Sequence, residues 1–267
     1  MQQAAVDNWN RHWSEFGAAA EVGPTPKYRR RLILRLLEEI PKDGSARMLE
    51  IGSGTGVFAE EFCRRFPRSC FLGLELSAVG VDASNRRSLP AKFLQRDLLQ
   101  PASSQAGLDF SATDALCTEV LEHLDEPGVL LRNAAAYMKP GCRLIVTVPG
   151  GPMNAFYRHI GHRRHYSPKE LTTVLESVGF SVERTWAAGF PFFNLFRLYL
   201  TWSGDKFIQT VSGEPSLLVR IAGKLCDAAF HLNLMRWGWQ TIAVARYRGE
   251  RLGPAQEKED QGGEDGR

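Results

Sequence analysis

Three features that would mark a specialised class of protein are missing from this sequence. Its five cysteines are odd in number and include no CxxC pair, which argues against both a disulfide framework and a zinc site. No run reaches the ~18 apolar residues of a membrane-spanning helix, and the opening MQQAAVDNWNRHW has no apolar segment typical of a signal peptide. We therefore expect a cytoplasmic protein with reduced cysteines.

A strong excess of charge of one sign is also missing. The 267 residues carry a formal net charge of only +3. The segment 249–267 contains six acidic and three basic side chains, so the remainder of the chain is mildly basic. This balance is too weak to indicate nucleic-acid binding. The Gly-, Glu- and Gln-rich composition of the same segment predicts a disordered tail.

Strand and helix patterns alternate along the chain. A helical pattern at 27–40 precedes the first strand, and Ser167 with Glu170 forms the signature of a capped helix near the end. The order predicts an α/β protein with a Rossmann-like, doubly wound, mostly parallel seven-stranded sheet. Its strands are expected at 46–52, 71–75, 92–96, 114–118, 143–148, 180–186 and 239–247.

The sequence divides into an N-terminal lid segment 1–26, a main domain 27–248 and the tail 249–267. Trp9, Trp13 and Phe16 stand at helical spacing in the first segment. Within the main domain, the stretch of about 187–236 is longer than an ordinary connection and carries two amphipathic helical patterns. We predict that it forms a helical cap inserted into the sheet.

The cap is too apolar for a solvent-facing loop, and three interpretations of it stay open. In the first, it packs over the sheet or against a second copy of the chain. In the second, it is a lid over a hydrophobic acceptor, with segment 1–26 closing the other side. In the third, it contacts a membrane surface, because Arg197, Lys206, Arg220 and Lys224 flank its apolar stretches. The apolar residues concerned are Phe190, Phe192, Phe193, Leu195, Phe196, Leu198, Tyr199 and Trp202.

A glycine-rich turn directly follows the first strand. In Glu50-Ile51-Gly52-Ser53-Gly54-Thr55-Gly56 the glycines let the backbone turn tightly and approach a ligand closely. The GxGxG spacing places the last glycine one residue early for the dinucleotide fingerprint, which weakens an NAD interpretation. Glu75 and Asp97 end the next two strands, at the sheet edge where open parallel sheets bind ligands.

Five runs together resemble the class I S-adenosylmethionine-dependent methyltransferases: MLEIGSGTG, LGLELS, QRDLL, CTEVLEHLDEP and MKPGCRLIVTVPG. The likeness covers about residues 28–186 and the last strand, and it implies S-adenosylmethionine as the cofactor. By this resemblance, Glu50 fixes the cofactor's amino group through the loop. The other implied contacts are Gly52, Ser53 and Gly54 along the methionine part, Glu75 at the ribose, Asp97 and Leu98 at the adenine, and Thr118 and Glu119 beside the sulfonium. Thr55, Gly56 and Leu76 are further expected cofactor contacts.

Two histidine-bearing segments follow strand ends and are expected to face one cleft. His123 lies in Glu119-x-x-Glu122-His123, and His162 lies in the segment 158–166. Either is a candidate general base, unless the histidines only shape their loops. Arg163 or Arg164 would orient an anionic acceptor.

The same residues resemble a metal site. In the small-RNA 3′-terminal 2′-O-methyltransferases, a similar ExxEH segment and a later histidine bind a divalent ion, which here would involve Glu119, Glu122, His123 and His162. The chain lacks the aromatic run that follows the last histidine in that family, so we do not expect a metal.

The sequence predicts an S-adenosylmethionine-dependent methyltransferase that acts on a small, fairly hydrophobic acceptor, with O-methylation favoured over nitrogen or carbon. The alternatives are a metal-assisted RNA 2′-O-methyltransferase, a catalytically silent cofactor-binding module and, more distantly, an NAD-dependent oxidoreductase.

Overall fold

The structure is a computed structural model that describes residues 8–41, 43, 45–101, 108–154, 157–158, 160–203 and 217–249. The predicted tail therefore lies outside the described residues, apart from Gly249. In chain order, the elements are α1 (Trp9–Val22), α2 (Pro24–Leu36), β1 (Arg47–Ile51), α3 (Val57–Arg65), β2 (Cys70–Glu75), α4 (Ala78–Arg86), β3 (Lys92–Gln95), β4 (Ala112–Thr118), α5 (Pro127–Ala134), β5 (Met138–Pro149), α6 (Pro168–Glu176), β6 (Phe180–Ala188), α7 (Phe192–Ser203), α8 (Leu217–Phe230) and β7 (Gln240–Tyr247).

The seven strands form one sheet in the order β3-β2-β1-β4-β5-β7-β6. Strands β1 to β5 pair in parallel, and β7 runs antiparallel to both β5 and β6. The predicted doubly wound, mostly parallel sheet is confirmed. Because β1 to β4 run in the same direction, their carboxyl ends meet at one edge, and that edge carries the glycine-rich turn.

Helices cover both faces of the sheet because consecutive strand residues point to opposite sides. Met48 and Leu49 are both fully buried, yet they belong to different core clusters. Met48 packs in a cluster with Phe62 of α3, and Leu49 in one with Leu131 of α5 and Leu175 of α6. Apolar runs, rather than alternating ones, are what such doubly covered strands require.

The largest differences from the expected element boundaries are in β5 and α2. Strand β5 begins at Met138 rather than Arg143, and it passes through Pro140. Proline is tolerated there because the pairing with β4 shifts between Ala112 and Asp114, so no ladder hydrogen bond is lost. Helix α2 begins at Pro24 instead of residue 27, since proline suits the first helical turn.

The stretch 187–236 contains the two predicted helices, α7 and α8, which pack against α2. Phe193 is buried with its ring centroid 5.1 Å from that of Tyr28 and 5.7 Å from that of Phe230. Arg31 of α2 forms an ion pair of 2.7 Å with Asp227 of α8. Within the described residues, no helix is long and apolar enough to span a bilayer.

The first prediction concerns the start of α6, where Ser167 and Glu170 form a capping box. Ser167 Oγ accepts from Glu170 N at 3.3 Å, and Glu170 Oε2 accepts from Ser167 N at 2.7 Å. Replacing Ser167 by alanine leaves backbone donors without partners, so we expect Ser167→Ala to lower the free energy of unfolding by about 1 kcal/mol. The midpoint of urea unfolding measures this loss. Thr173→Ala, at an exposed position inside the same helix, is the control and should cost nothing; equal losses would contradict the capping role.

Candidate active site

The glycine-rich turn between β1 and α3 needs its glycines for conformation and for space. Gly52, Gly54 and Gly56 have φ angles of 72°, 55° and 76°, which L-residues rarely adopt. A Cβ at Gly52 would lie 2.5 Å from Cγ2 of Val120, and one at Gly54 would lie 2.8 Å from the ring of Trp13. The turn is therefore pressed from both sides by neighbouring segments.

Glu75, at the end of β2, holds this turn in place. One carboxylate oxygen accepts from the backbone N–H of Gly54 at 2.8 Å, and the other accepts from that of Ser77 at 2.9 Å. Burial raises the pKa of Glu75, while the hydrogen bonds from Ser77 and Gly54 lower it. The carboxylate thus connects the β1–α3 and β2–α4 turns.

A cleft enclosing about 670 Å³ opens beside Glu75 at the carboxyl edge of the sheet. Seven of the twelve predicted cofactor residues line it: Gly52, Glu75, Leu76, Asp97, Leu98, Thr118 and Glu119. Glu50, Ser53, Gly54, Thr55 and Gly56 do not line it; they form or support the turn at its side. Sequence reasoning missed the cleft residues Leu74, Arg96, Leu99, Val120, Leu124 and Leu130, although four of them adjoin predicted ones in the chain.

Several buried polar atoms around the turn have no hydrogen-bond partner among the described residues. They are Oε2 of Glu50, Oγ of Ser53 and Oγ1 of Thr118. Burial raises the pKa of Glu50 well above its usual value, and the neighbouring Glu75 carboxylate raises it further. Buried polar groups are normally hydrogen-bonded, so this set fits a ligand that carries positive charge and polar groups.

The N-terminal helix α1 covers the cleft. Trp9 and Trp13 both line it, and the ring of Trp9 meets that of His123 edge to face at a centroid distance of 4.8 Å. Asn10 fixes the helix, since its side-chain oxygen accepts from Ser77 Oγ at 2.7 Å. The side chain of Phe16, predicted to join these tryptophans, lies outside the described residues.

The described residues of the cap do not line the cleft. None of residues 187–203 and 217–236 is among those that line it. The described residues therefore give no support to the interpretation of the cap as a lid over the acceptor. The physical reason is that the inner face of the cap is already packed against Tyr28 of α2.

Glu119 occupies a constrained position at the end of β4. Its φ angle is 54°, unusual for a residue other than glycine. The carboxylate accepts from Gln240 Nε2 at 2.8 Å and from Thr147 Oγ1 at 3.3 Å, and it lies 3.3 Å from the guanidinium of Arg29. Glu119 thus lines the cleft, and its carboxylate is already engaged by three side chains of the protein.

The two histidine segments meet, as the sequence predicted. The ring centroids of His123 and His162 are 4.9 Å apart, and Nδ1 of His123 donates to the carbonyl of Gly161 at 3.1 Å. Glu122 is fully buried beside them. Of the predicted set of four metal ligands, the structure gathers Glu122, His123 and His162; Glu119 is engaged by Arg29, Gln240 and Thr147 instead.

The protonation of these histidines follows from their burial. It lowers the pKa of His123 to about 4 and that of His162 to about 2, with neighbouring positive groups lowering the latter further. Both rings are neutral near pH 7 and can accept a proton, but such low pKa values make them weak bases. His123 lines the cleft, and His162 lies behind it.

The arginines of the second segment do not face the cleft. Arg163 pairs with the carboxylate of Asp125, and Arg164 donates to the Asp125 carbonyl at 2.9 Å. Both side chains are exposed on the surface. The expectation that either orients an acceptor is not supported, because each is engaged with the same loop. His159 lies outside the described residues.

Comparison with known proteins identifies the family of this chain. Residues 25–185 match the model of a methyltransferase domain. A trans-aconitate 2-methyltransferase of Deinococcus radiodurans is 28% identical over 124 residues, 46% of this chain and 44% of that protein. A ubiquinone biosynthesis O-methyltransferase of Xanthomonas axonopodis pv. citri is 27% identical over 140 residues, 52% and 56% of the two chains. The chain thus spans about half the length of these curated relatives.

Solved structures share the fold at low sequence identity. The phosphoethanolamine N-methyltransferase 2 of Haemonchus contortus, in complex with S-adenosyl-L-methionine, has a TM-score of 0.60 at 13% identity and covers 91% of this chain and 60% of its own. The [4+2]-cyclase SpnF has a TM-score of 0.54 at 21% identity, covering 83% and 81%. These likenesses show the fold alone.

The second prediction tests the glycine-rich turn. Gly54→Ala places a Cβ against Trp13 at a positive φ angle, which costs roughly 1–2 kcal/mol for an L-residue. We expect its affinity for S-adenosylhomocysteine to fall about tenfold, measured by calorimetric titration. Gly223→Ala is the matched control, because no atom lies within 4 Å of the added Cβ. If both variants bind equally well, the turn does not contact the ligand.

Proposed function

Because this chain belongs to the class I S-adenosylmethionine-dependent methyltransferases, we propose that it transfers the methyl group to a small, hydrophobic acceptor, with oxygen as the favoured receiving atom. The observation that carries this proposal is the cleft, whose wall combines strand-end carboxylates with Leu74, Leu76, Leu98, Leu99, Leu124 and Leu130. We place the enzyme in the cytoplasm, which suits its five unpaired cysteines.

The methyl donor would be held by groups at the carboxyl ends of three neighbouring strands. When bound, S-adenosylmethionine supplies a methyl group already activated by a sulfonium. Glu50 and Ser53 offer buried polar atoms to its charged methionine part, Glu75 offers carboxylate oxygens to ribose hydroxyls, and Asp97 with Leu98 offers an edge for the adenine. Thr118 and Glu119 lie further along the same wall.

Positioning is the main contribution that the chain's own residues make to the reaction. Methyl transfer needs the donor and acceptor atoms in line, which converts a bimolecular step into an oriented one. Trp9 and Trp13 cover the cleft and exclude water from it. His123, neutral and facing the cleft, would accept a hydrogen bond from an acceptor hydroxyl and receive its proton as the new bond forms; His162 supports the His123 ring from behind.

The names of these two curated relatives support oxygen as the receiving atom, but they do not support one particular acceptor molecule. The ubiquinone biosynthesis O-methyltransferase is named for methyl transfer to oxygen, and the trans-aconitate relative is named for a small carboxylic acid. Of the residues that line the cleft, one is an arginine: Arg96, whose Nη1 donates to the backbone carbonyl of Gln95. The apolar part of the wall therefore favours a hydrophobic molecule.

A metal-assisted RNA 2′-O-methyltransferase is the second candidate. One observation favours it, namely the approach of Glu122, His123 and His162 to one another. Two observations disfavour this candidate: Glu119 is not part of that group, and the net charge of the chain is only +3. A catalytically silent cofactor-binding module is disfavoured by the histidine and the carboxylates that face the cleft.

The outer face of the cap supports contact with a membrane surface. Leu195, Leu198 and Trp202 recur at positions i, i+3 and i+7 of α7 and are exposed, Trp202 by 88%. Leu225 of α8 is 66% exposed. An apolar face of this kind on a water-soluble helix pair fits a peripheral membrane contact that would bring the enzyme to a lipid-embedded acceptor.

The basic residues first associated with this contact need revision. Arg197 is buried, where its guanidinium binds Tyr157 Oη at 2.7 Å and the carbonyl of Gly150 at 2.9 Å. Lys206 and the side chain of Arg220 lie outside the described residues. Lys224 and Arg236 are exposed and remain available to anionic headgroups.

The third prediction tests the reaction. We expect labelled S-adenosylmethionine to transfer its methyl group to the oxygen of a small phenol or hydroquinone, and not to trans-aconitate or to the 3′ end of a short RNA. His123→Asn should lower kcat by about tenfold or more, since a positioned base contributes roughly 10²–10⁴-fold, and should leave the affinity for S-adenosylhomocysteine unchanged. His231→Asn, outside the cleft, is the control. Labelling of the RNA alone would replace the hydrophobic-acceptor proposal by the second candidate.

The fourth prediction tests the outer face of the cap. Wild-type protein should co-sediment with vesicles that contain anionic lipid. The double variant Leu198→Glu, Trp202→Glu should bind them at least about a hundredfold more weakly, because apolar burial of such side chains is worth about 1.5–3 kcal/mol each. Thr173→Glu on α6, at the opposite face of the sheet, adds a charge without touching the cap and should bind normally. Absence of vesicle binding by the wild type, or a change only in self-association by sedimentation velocity, would exclude the membrane contact.

A further inference from the structure

We infer that Glu122, His123 and His162 bind one divalent transition-metal ion in the wall of the cleft. Each of the three residues offers one ligand atom, and these atoms all lie within 4.8 Å of one another. Nε2 of His123 is 4.0 Å from Oε1 of Glu122, too far for a hydrogen bond. Ligands of one tetrahedral ion with bonds of about 2.0 Å lie roughly 3.3 Å apart, so small side-chain rotations would close the site.

The carboxylate of Glu122 is the observation that points to a ligand. The residue has 0% of its surface exposed, and neither side-chain oxygen has a hydrogen-bond partner in the described part of the chain. An unpaired buried carboxyl group is costly, and proteins retain such groups when a cation or a catalytic role compensates for the cost. The charges of Arg29 and Arg197 act on this carboxyl group, but no Lys or Arg of the described residues donates a hydrogen bond to it, and two imidazoles offer the adjacent ligand atoms.

Hydrogen bonds fix the ring of His123 in a metal-binding form. Its Nδ1 lies 3.1 Å from the carbonyl oxygen of Gly161. A carbonyl can only accept, so Nδ1 carries the proton and Nε2 presents a lone pair on the side of Glu122. An imidazole that donates from its outer nitrogen to a backbone carbonyl is the usual support of a metal ligand.

A chain of two rings fixes His162 in the same way. Nδ1 of His165 lies 3.1 Å from the carbonyl of Gly151 and must donate to it, which leaves Nε2 of His165 as an acceptor. That nitrogen is 3.1 Å from Nδ1 of His162, which therefore carries its own proton. Nε2 of His162 is left with a lone pair, and His165 acts as the positioning residue behind this ligand.

The ligand types select the class of ion. Two imidazoles and one carboxylate suit zinc and its neighbours among the first-row divalent ions, whereas magnesium prefers oxygen ligands alone. Three protein ligands leave a position open, as in catalytic rather than structural sites. His123 lines the cleft, so this position is accessible from the acceptor side, where an ion would polarise an acceptor oxygen. That role would replace the general-base role of His123, because its Nε2 cannot bind the ion and receive a proton at once. It rests on the proposed function, while metal binding itself does not.

The experiment measures metal binding without cofactor or acceptor. Metal-stripped wild-type protein is titrated with Zn²⁺ by calorimetry, with elemental analysis after dialysis. We expect one equivalent to bind with micromolar or tighter affinity and Mg²⁺ to compete poorly. Glu122→Gln and His162→Asn should each weaken Zn²⁺ binding at least a hundredfold. His165→Asn should weaken it about tenfold, the lower end of the effect of outer-shell partners.

Matched controls separate this site from others. Glu126→Gln replaces an exposed glutamate of the same segment, and His231→Asn a histidine of the cap; both should bind Zn²⁺ like the wild type. Co²⁺ provides a spectroscopic signature, because thiolate ligands give an intense charge-transfer band that imidazole and carboxylate ligands lack. A thiolate band would indicate a cysteine such as the exposed Cys70 and would overturn the assignment.

Two further outcomes would overturn the inference. One is the absence of Zn²⁺ binding by folded wild-type protein. The other is unchanged binding by both Glu122→Gln and His162→Asn, each confirmed as folded by circular dichroism. A parallel titration with S-adenosylhomocysteine reads the cofactor site alone, so a failed metal site and a failed methyltransferase assignment give different results.

Discussion

The carboxylate of Glu75 holds the active site together. It accepts one backbone N–H from Gly54 and another from Ser77, and so connects the turns that follow β1 and β2. Gly54 makes this hydrogen bond in a backbone conformation with a positive φ angle, which favours glycine. With these two turns fixed, the glycine backbone, the side chain of Asp97 and the end of β4 surround one cleft. The parallel sheet brings the strand ends together, and Glu75 sets the loops between them.

Carboxyl groups are concentrated and buried around this edge. Burial raises the pKa of Glu50, Glu75 and Glu122. The three carboxyl groups differ in the hydrogen-bond partners that compensate for this burial. Glu75 is compensated by backbone donors, as described above. Glu50 and Glu122 retain oxygens without a hydrogen-bond partner. A site with this electrostatic character favours cationic ligands. In the proposed function, the charged methionine part of the donor would satisfy the first of these groups, and a metal ion would satisfy the second.

The chain adds two helical parts to the sheet domain, α1 and the cap, and composition alone did not show which of them covers the cleft. Helix α1 covers the cleft with two tryptophans, whereas the far more apolar cap packs against α2 and points its remaining apolar face away from the cleft. Counting apolar residues could not distinguish these arrangements, because Phe193 and Trp202 contribute equally to such a count. One is 1% exposed and the other 88%. Among the described residues, the N-terminal segment therefore covers the cleft, and the described part of the cap does not line it.

The sequence by itself determined the order of strands and helices, the glycine-rich turn and the acids at the strand ends. These are local properties: apolar periodicity, the conformational freedom of glycine, and the fact that parallel strands end at one edge. Tertiary structure decided which side chains pair. The resemblance implied a place for Glu119 beside the sulfonium, but it could not show that Arg29 and Gln240, distant in sequence, hold its carboxylate. His165 carried no distinguishing signal, yet its ring sets the tautomer of His162. Such pairings depend on distances between segments far apart in the chain, and no local pattern encodes those distances.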